Sequence, residues 1–233
     1  MPEKPLCIIP ARGGSKRFPR KNLALLAGKP ILAYAIEAGL RSEVFDQVCV
    51  SSEDDEILAT ALKYGARTCR REPELATDGV QIRHVCIQLL EQFNKQGTAY
   101  EAFAVLLTTN PLRREQDVRN AYKVFRSHDV NYVISLVPFS HPPQRAVWVS
   151  GGYVTPYFGL QYMKQTQLLE KLYRHDGSVI FAKTEAFLRE QEFYGSKVAP
   201  YFIPFECSVD IDNCQDLAWA EFLLSRDVAG IKG

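Results

Sequence analysis

The sequence predicts an α/β fold: a mostly parallel sheet with helices on both faces. Short apolar runs alternate with amphipathic helical patterns over residues 1–137. The runs are continuously apolar, as strands covered on both faces require. The length of 233 residues and a hydrophobic share of 46% suit one domain with a modest insertion.

In chain order, "LCIIP" reads as the first buried strand. "PILAYAIEAGLRS" is a helix, with Pro30 at a favourable first position. "QVCVSS" is a strand, and "DDEILATALKYGA" a helix with acids in its first turn and Gly65 as its stop. "ARTCR" is a short strand, "VQIRHVCIQLLEQF" a helix, "AFAVLLT" a buried strand, "EQDVRNAYKVFRSH" a helix and "NYVISLV" a strand. The alternation stops over residues 138–175, where Pro, Gly and aromatic residues gather around short β patterns, "AVWV" and "GGYVTP". That segment reads as an insertion within a single domain spanning 1–233, either a dimerisation hairpin or a self-packed lid. The α/β pattern resumes with "GSVIFA", "EAFLRE" and "APYFIPF", and closes on the helix "CQDLAWAEFLLS", capped by Asn213.

Lys and Arg total 28 and Asp and Glu 27, so no global field draws the chain to nucleic acid or a membrane. No apolar stretch is long enough for a spanning helix, and the N-terminus carries no signal-peptide pattern. The expectation is a soluble cytoplasmic protein. Its six cysteines form no C-x-x-C pair and read as reduced core thiols.

One local feature stands out. "ARGGSKRFPRKN" follows the first strand and concentrates Arg12, Lys16, Arg17, Arg20 and Lys21, with no acid nearby in sequence. It matches neither G-x-x-x-x-G-K-[ST] nor G-x-G-x-x-G. Its content nevertheless suits a triphosphate. Gly13, Gly14 and Ser15 let the backbone approach and present N–H groups, while Arg12, Lys16 and Lys21 can surround the phosphates. Ligands of open α/β sheets sit at the carboxyl ends of strands, where this loop lies. The cluster is one short loop, not the long basic stripe of a nucleic-acid surface.

"PARGGSKRFPRKN", "GKPILAYAIEAGLRS", "FDQVCVSSEDDEI", "REPELATD", "NPLR", "YRHDGSVIF" and "SVDID" occur in this order. Together they resemble the cytidylyltransferases that activate sialic acids and related nine-carbon sugar acids, over nearly the whole chain. The resemblance implies a Rossmann-like fold of the nucleotide-diphospho-sugar transferase type. It also implies a homodimer, and a reaction of CTP with a nonulosonic acid to give the CMP-sugar and diphosphate.

By the same resemblance Arg12, Lys16 and Lys21 meet the triphosphate and Asn22 reads the cytosine edge. Asn22 as a turn residue and Lys21 as a solvated side chain are the plainer alternatives. Asp210 and Asp212 become the ligands of Mg²⁺, or Mn²⁺ in its place, with Asp212 first. Two carboxylates two residues apart on an extended segment point the same way and suit a hard cation. Asp212 as a mere helix cap is the alternative. Arg71, or Arg70 with a register slip, matches a nucleotide-side arginine. Arg174 would meet the sugar carboxylate, and Phe193 with Tyr194 would reach the partner's sugar site unless core packing claims them. Arg113 is equally readable as structural. Arg17 and Arg20 have no matching role and read as solvated.

The chain also departs from the family. Ile82 stands where a ribose-side hydroxyl residue is usual, leaving Gln81 as a substitute. Leu107 replaces a Gln associated with the polar sugar tail. Asp176 replaces a common Asn; in the insertion Lys164 is the nearest cation to a position where an arginine is usual, and Arg145 stands for a lysine seen in some members. An apolar Leu107 would suit a methyl group, which points to a 9-deoxy acid of the legionaminic or pseudaminic kind. "LYRHDGSVIF" looks closer to the legionaminic branch. The alternatives are a transferase for an eight-carbon acid or a sugar 1-phosphate, and a non-catalytic nucleotide-sugar-binding dimer.

Overall fold

The computed structural model describes residues 3–228, positions 78 and 128 excepted. Asp78 of "REPELATD" and His128 at the end of the fourth helical pattern therefore lie outside the described residues, as does the end of the chain from 229. β1 (Leu6–Pro10) is followed by the basic loop and by β2 (Leu25–Leu26) and β3 (Lys29–Pro30), a small antiparallel pair. Then come α1 (Ile31–Ser42), β4 (Gln47–Ser52), α2 (Asp55–Lys63), β5 (Arg67–Arg70), α3 (Ile82–Lys95), β6 (Ala102–Val105), α4 (Glu115–Ser127) and β7 (Tyr132–Pro138). β8 (Val147–Ser150) and β9 (Tyr153–Pro156) form a hairpin apart from the main sheet. β10 (Tyr173–Lys183), α5 (Thr184–Glu190), β11 (Val198–Phe202) and α6 (Cys214–Val228) complete the chain.

The main sheet has seven strands in the order β11-β7-β10-β6-β1-β4-β5. All neighbours are parallel except β10, which runs antiparallel to β6 and β7. Side chains of β1 alternate between two cores. Cys7 and Ile9 join Leu32, Ile36 and Val118 on one face, while Leu6 and Ile8 join Val85, Leu89 and Phe187 on the other. Both faces are covered, so every position of the strand must be apolar. Each such side chain contributes about 1.5–3 kcal/mol through burial.

Two expectations need correction. The strand read from Gly177 begins at Tyr173, and its register shifts between His175 and Ile180. Gly177, at φ +84°, permits that irregularity, and a Cβ there would lie 2.8 Å from both Asn110 Oδ1 and Leu107 Cδ1. Second, the cysteines are not all free: Cys49 and Cys69 form a disulfide across β4 and β5. The parallel register pairs Ser51 with Cys69, which sets the two cysteines diagonally on one face with Cα atoms 6.5 Å apart. Cys7, Cys86 and Cys207 are buried outside the disulfide, and Cys214 is exposed. Burial pushes the Cys7 and Cys86 thiols up, which keeps them unreactive.

Candidate active site

β1 lies between β6 and β4, so the chain leaves it in one direction towards β4 and β5 and reaches the other half through β6. The crevice beyond its carboxyl end is the topological switch point of the sheet. A cleft of about 530 Å³ opens there, lined by Arg12, Lys16, Lys21, Asn22 and Arg71 on one side and by Leu107, Thr108 and Thr109 on the other. Larger cavities exist. One of about 840 Å³ lies at the opposite end of the sheet, against Lys4, Tyr100 and Lys183, away from this cluster of charge.

The basic loop is fixed by contacts distant in sequence. Asn22 is 7% exposed; its Nδ2 donates to Arg12 O (2.8 Å) and its Oδ1 accepts from Thr108 Oγ1 (2.6 Å). These bonds tie the loop to the segment after β6, and they leave one donor and one acceptor site on the carboxamide. Gly13 N–H donates to Glu53 Oε1 (2.7 Å), and Arg20 pairs with Asp54 and Glu56. The acidic first turn of α2 therefore anchors the loop. Arg20 is exposed, as expected, but it is paired, so the run does have acids beside it in space. Asp54 also caps α2, accepting from Glu56 N and Ile57 N at 3.0 Å each. Despite some desolvation, Arg20 and these N–H groups hold its carboxyl below the usual range.

Arg71 is buried at the back of the cleft, with Nε on Ser51 Oγ (3.2 Å) and Nη2 on Ser51 O (2.7 Å). Burial lowers its pKa and the nearby Glu53 carboxylate works against that. Arg70 instead faces outward and pairs with Asp55.

Asp212 stands across the cleft mouth. Lys21 Nζ is 2.9 Å from its Oδ1, and Arg17 Nη1 is 2.7 Å from its Oδ2. The two charged halves of the site meet directly, and Arg17, expected to be solvated, is part of the contact. Desolvation acts upward on Asp212, but Lys21 and Arg17 outweigh it and hold the carboxyl low. Asp210 is exposed at the surface near Thr109; partial desolvation still raises its carboxyl, with Thr109 opposing and Asp212 reinforcing the shift. Capping of α6 falls to Asn213, whose Oδ1 accepts from Gln215 N (2.8 Å) and Asp216 N (3.1 Å). The Asp212 carboxylate is thus not engaged as the helix cap. No cluster of three or more His, Cys, Asp or Glu able to hold a metal occurs among the described residues. A pair of carboxylates is a donor set that suits an ion completing its shell with substrate phosphates and water.

The cytidylyltransferase family model matches residues 6–201. This chain belongs to the cytidylyltransferase family. It is 35% identical to a pseudaminic acid cytidylyltransferase of Campylobacter jejuni, over 94% of this chain and 96% of that one. It is 32% identical to a CMP-N,N'-diacetyllegionaminic acid synthase of Legionella pneumophila, over 94% and 95%. Identity to an N-acylneuraminate cytidylyltransferase of Streptococcus agalactiae is 33% over 91% of this chain but only 51% of that longer protein. Among solved structures, a CMP:2-keto-3-deoxy-manno-octonic acid synthetase complexed with CTP superposes with a TM-score of 0.68 at 17% identity, covering 97% of this chain and 100% of that one. A 4-diphosphocytidyl-2C-methyl-D-erythritol synthase gives 0.67 at 14%, covering 96% and 99%. These last two show a shared fold.

In this cytidylyltransferase the residues expected near the sugar divide. Leu107 lines the cleft. Arg174 makes no hydrogen bond or ion pair among the described residues, and its charge is felt at Asp210. Tyr194 is exposed, with its ring against that of His175 at 6.2 Å. Phe193 turns the other way and stacks on Phe187 at 4.9 Å, so core packing claims it. Gln81 is exposed and does not line the cleft, whereas Ile82 and Thr77 do. Thr77 thus brings a side-chain hydroxyl into that region.

Arg113 is a brace. It is 4% exposed and donates to Leu107 O and Ser178 O, and burial lowers its pKa to about 10. Asp176 is likewise internal, accepting from Ser135 and Ser178. Sequence reasoning passed over Arg17, Thr77, Thr108, Thr109 and Glu53. Their nearness to the site depends on strand order, which no local pattern records.

Proposed function

We propose that the protein joins CTP to a nonulosonic acid, releasing diphosphate and the CMP-sugar. The anomeric oxygen forms a bond to the α-phosphorus, the bond from that phosphorus to the diphosphate oxygen breaks, and the hydroxyl proton is released. The observation that carries this reading is the basic loop of the cleft meeting Asp212 through Lys21 and Arg17 in a cytidylyltransferase. Arg12, Lys16 and Lys21 would hold the phosphates, Arg71 would add charge from behind, and Asn22 would offer its remaining donor and acceptor to the base. Asp210 and Asp212 would hold Mg²⁺, or Mn²⁺, which when bound neutralises phosphate charge. Arg174 and Tyr194 would form the sugar end. A reaction fed by CTP belongs in the cytoplasm. Among the described residues no helix is long and apolar enough to cross a membrane.

For the sugar we infer a 9-deoxy acid of the legionaminic or pseudaminic kind. The identities of 35%, 33% and 32% to pseudaminic, acylneuraminate and legionaminic enzymes do not rank the sugars. The apolar Leu107 in the cleft supports the deoxy substrates, because a hydroxyl beside it would lose its partner. We further propose a homodimer through the β8–β9 hairpin, where Trp148, Val149, Tyr153 and Val154 are all exposed. Diphosphate release with CTP, Mg²⁺ and each purified sugar acid is the test. Turnover with a 9-deoxy acid well above that with N-acetylneuraminate is expected. Preference for N-acetylneuraminate overturns the sugar assignment, and no turnover with any nonulosonic acid overturns the function.

A further inference from the structure

Asp212 has both carboxylate oxygens engaged by protein cations: Oδ1 by Lys21 at 2.9 Å and Oδ2 by Arg17 at 2.7 Å. A divalent ion at Asp212 would compete with these cations for the carboxylate's lone pairs and add positive charge beside them, which favours release of the less firmly held one. The two differ in freedom. The Lys21 side chain is 12% exposed, between the loop and the carboxylate, while that of Arg17 is 75% exposed on a flexible stem. Arg17 is the one able to leave. It also lines the same cleft as Arg12 and Lys16, so a released guanidinium stays beside the phosphate region.

We propose that Arg17 is an exchanged cation. It neutralises Asp212 in the empty enzyme, leaves that carboxylate when a divalent ion binds, and then contacts the triphosphate. This rests on the reading of Asp212 as a metal ligand. It assigns opposite effects to one side chain, because Arg17 competes with the metal and assists the nucleotide. An exposed ion pair is worth about 0.2–1 kcal/mol, so its removal corresponds to a factor of about 1.5–5 in affinity.

The test uses the full chain as wild type, Arg17→Gln and Asp212→Asn. Binding of Mn²⁺ without nucleotide is followed by the electron paramagnetic resonance signal of the free ion. Binding of CTP is followed by calorimetry with the metal chelated and again with Mg²⁺. Arg17→Gln is expected to bind Mn²⁺ about 1.5–5-fold tighter and Mg²⁺–CTP more weakly than wild type. A uniform loss of both would be the mark of a damaged fold and overturns the exchange. So does Mn²⁺ affinity in Arg17→Gln equal to wild type while Asp212→Asn loses the ion. Unchanged Mn²⁺ binding in Asp212→Asn instead overturns the underlying metal assignment.

Discussion

Alanine at position 13 is expected to destabilise the protein, and alanine at position 14 is not. The two glycines look equivalent in "ARGGSK", but their surroundings differ. A Cβ on Gly13 would lie 2.5 Å from Asp54 Oδ2 and 3.0 Å from Asp54 Cβ, whereas nothing lies within 4 Å of one on Gly14. Asp54 cannot swing aside freely, because it caps Glu56 N and Ile57 N and pairs with Arg20. Loss of an N-cap costs about 0.5–2 kcal/mol, and the exposed ion pair adds about 0.2–1. Gly13→Ala should therefore lose about 2 kcal/mol, or roughly 4–8 °C in Tm for a domain of this size. Gly14→Ala should be neutral or gain up to about 1 kcal/mol by restricting the unfolded chain. Thermal unfolding by circular dichroism, with CTP kinetics on the same preparations, separates the two. Gly14 lines an open pocket with Ser15 and Lys16, so its alanine variant should raise KM for CTP at unchanged Tm. A Gly14→Ala variant that melts as early as Gly13→Ala, or a Gly13→Ala variant that melts like wild type, refutes the reasoning.

Leu107→Gln should shift preference towards a sugar hydroxylated at its tail, by about 10-fold or more in the ratio of kcat/KM values, measured with the paired deoxy and hydroxy acids. Trp148→Glu, at an exposed position of the β8–β9 hairpin, should convert a dimer to a monomer in light scattering without loss of helical dichroism. Glu190 has its carboxyl lowered from 4.5 to about 2, mainly by hydrogen bonds from Ser196. A depressed carboxyl contributes stability that is complete above the unfolded value and is lost as pH falls towards the folded one. Urea unfolding should therefore weaken between about pH 4.5 and 2, and the Glu190→Gln variant should show a smaller loss over that window.

Much of the fold was legible because β1 is covered on both faces. A run such as Leu6–Ile9, with each residue 0% exposed, has only one reading once it is flanked by amphipathic helices. The loop after it reads as an anion site from its charge and glycines alone, and the fold places it at the cleft beyond β1. The partners of those charges were not. Gly13 meets Glu53 and Arg20 meets Asp54, both across the β1–β4 junction, and Lys21 meets Asp212 at a separation of 191 residues. Such pairings follow from strand order, which periodicity does not encode. Phe193 and Tyr194 show the same limit on a smaller scale. Adjacent aromatics look interchangeable in sequence, yet one stacks in the core and the other lies exposed against His175. At Gly177 the usual reading of glycine as a strand end misled, because here it carries the irregularity that lets β10 continue past Asn110.

Those distant pairings also explain how a chain of net charge +1 keeps such a basic loop in place. Arg20 is held by the first turn of α2, Gly13 N–H by Glu53, and Lys21 and Arg17 by Asp212. Carboxylates thus occupy positions that suit an anion, and they restrain a loop whose cations would otherwise repel one another. The restraint differs along the loop. Arg20 is held by two carboxylates, Asp54 and Glu56, on the α2 side of the loop, so it anchors. Asp212 sits at the mouth, where phosphates and a cation would compete for the same groups; in the proposed exchange its contact with Arg17 yields and that with Lys21 is kept. On that proposal, binding at this site is a replacement of internal ion pairs by external ones. Its net affinity follows from the difference between the two sets, not from the number of basic residues in the loop.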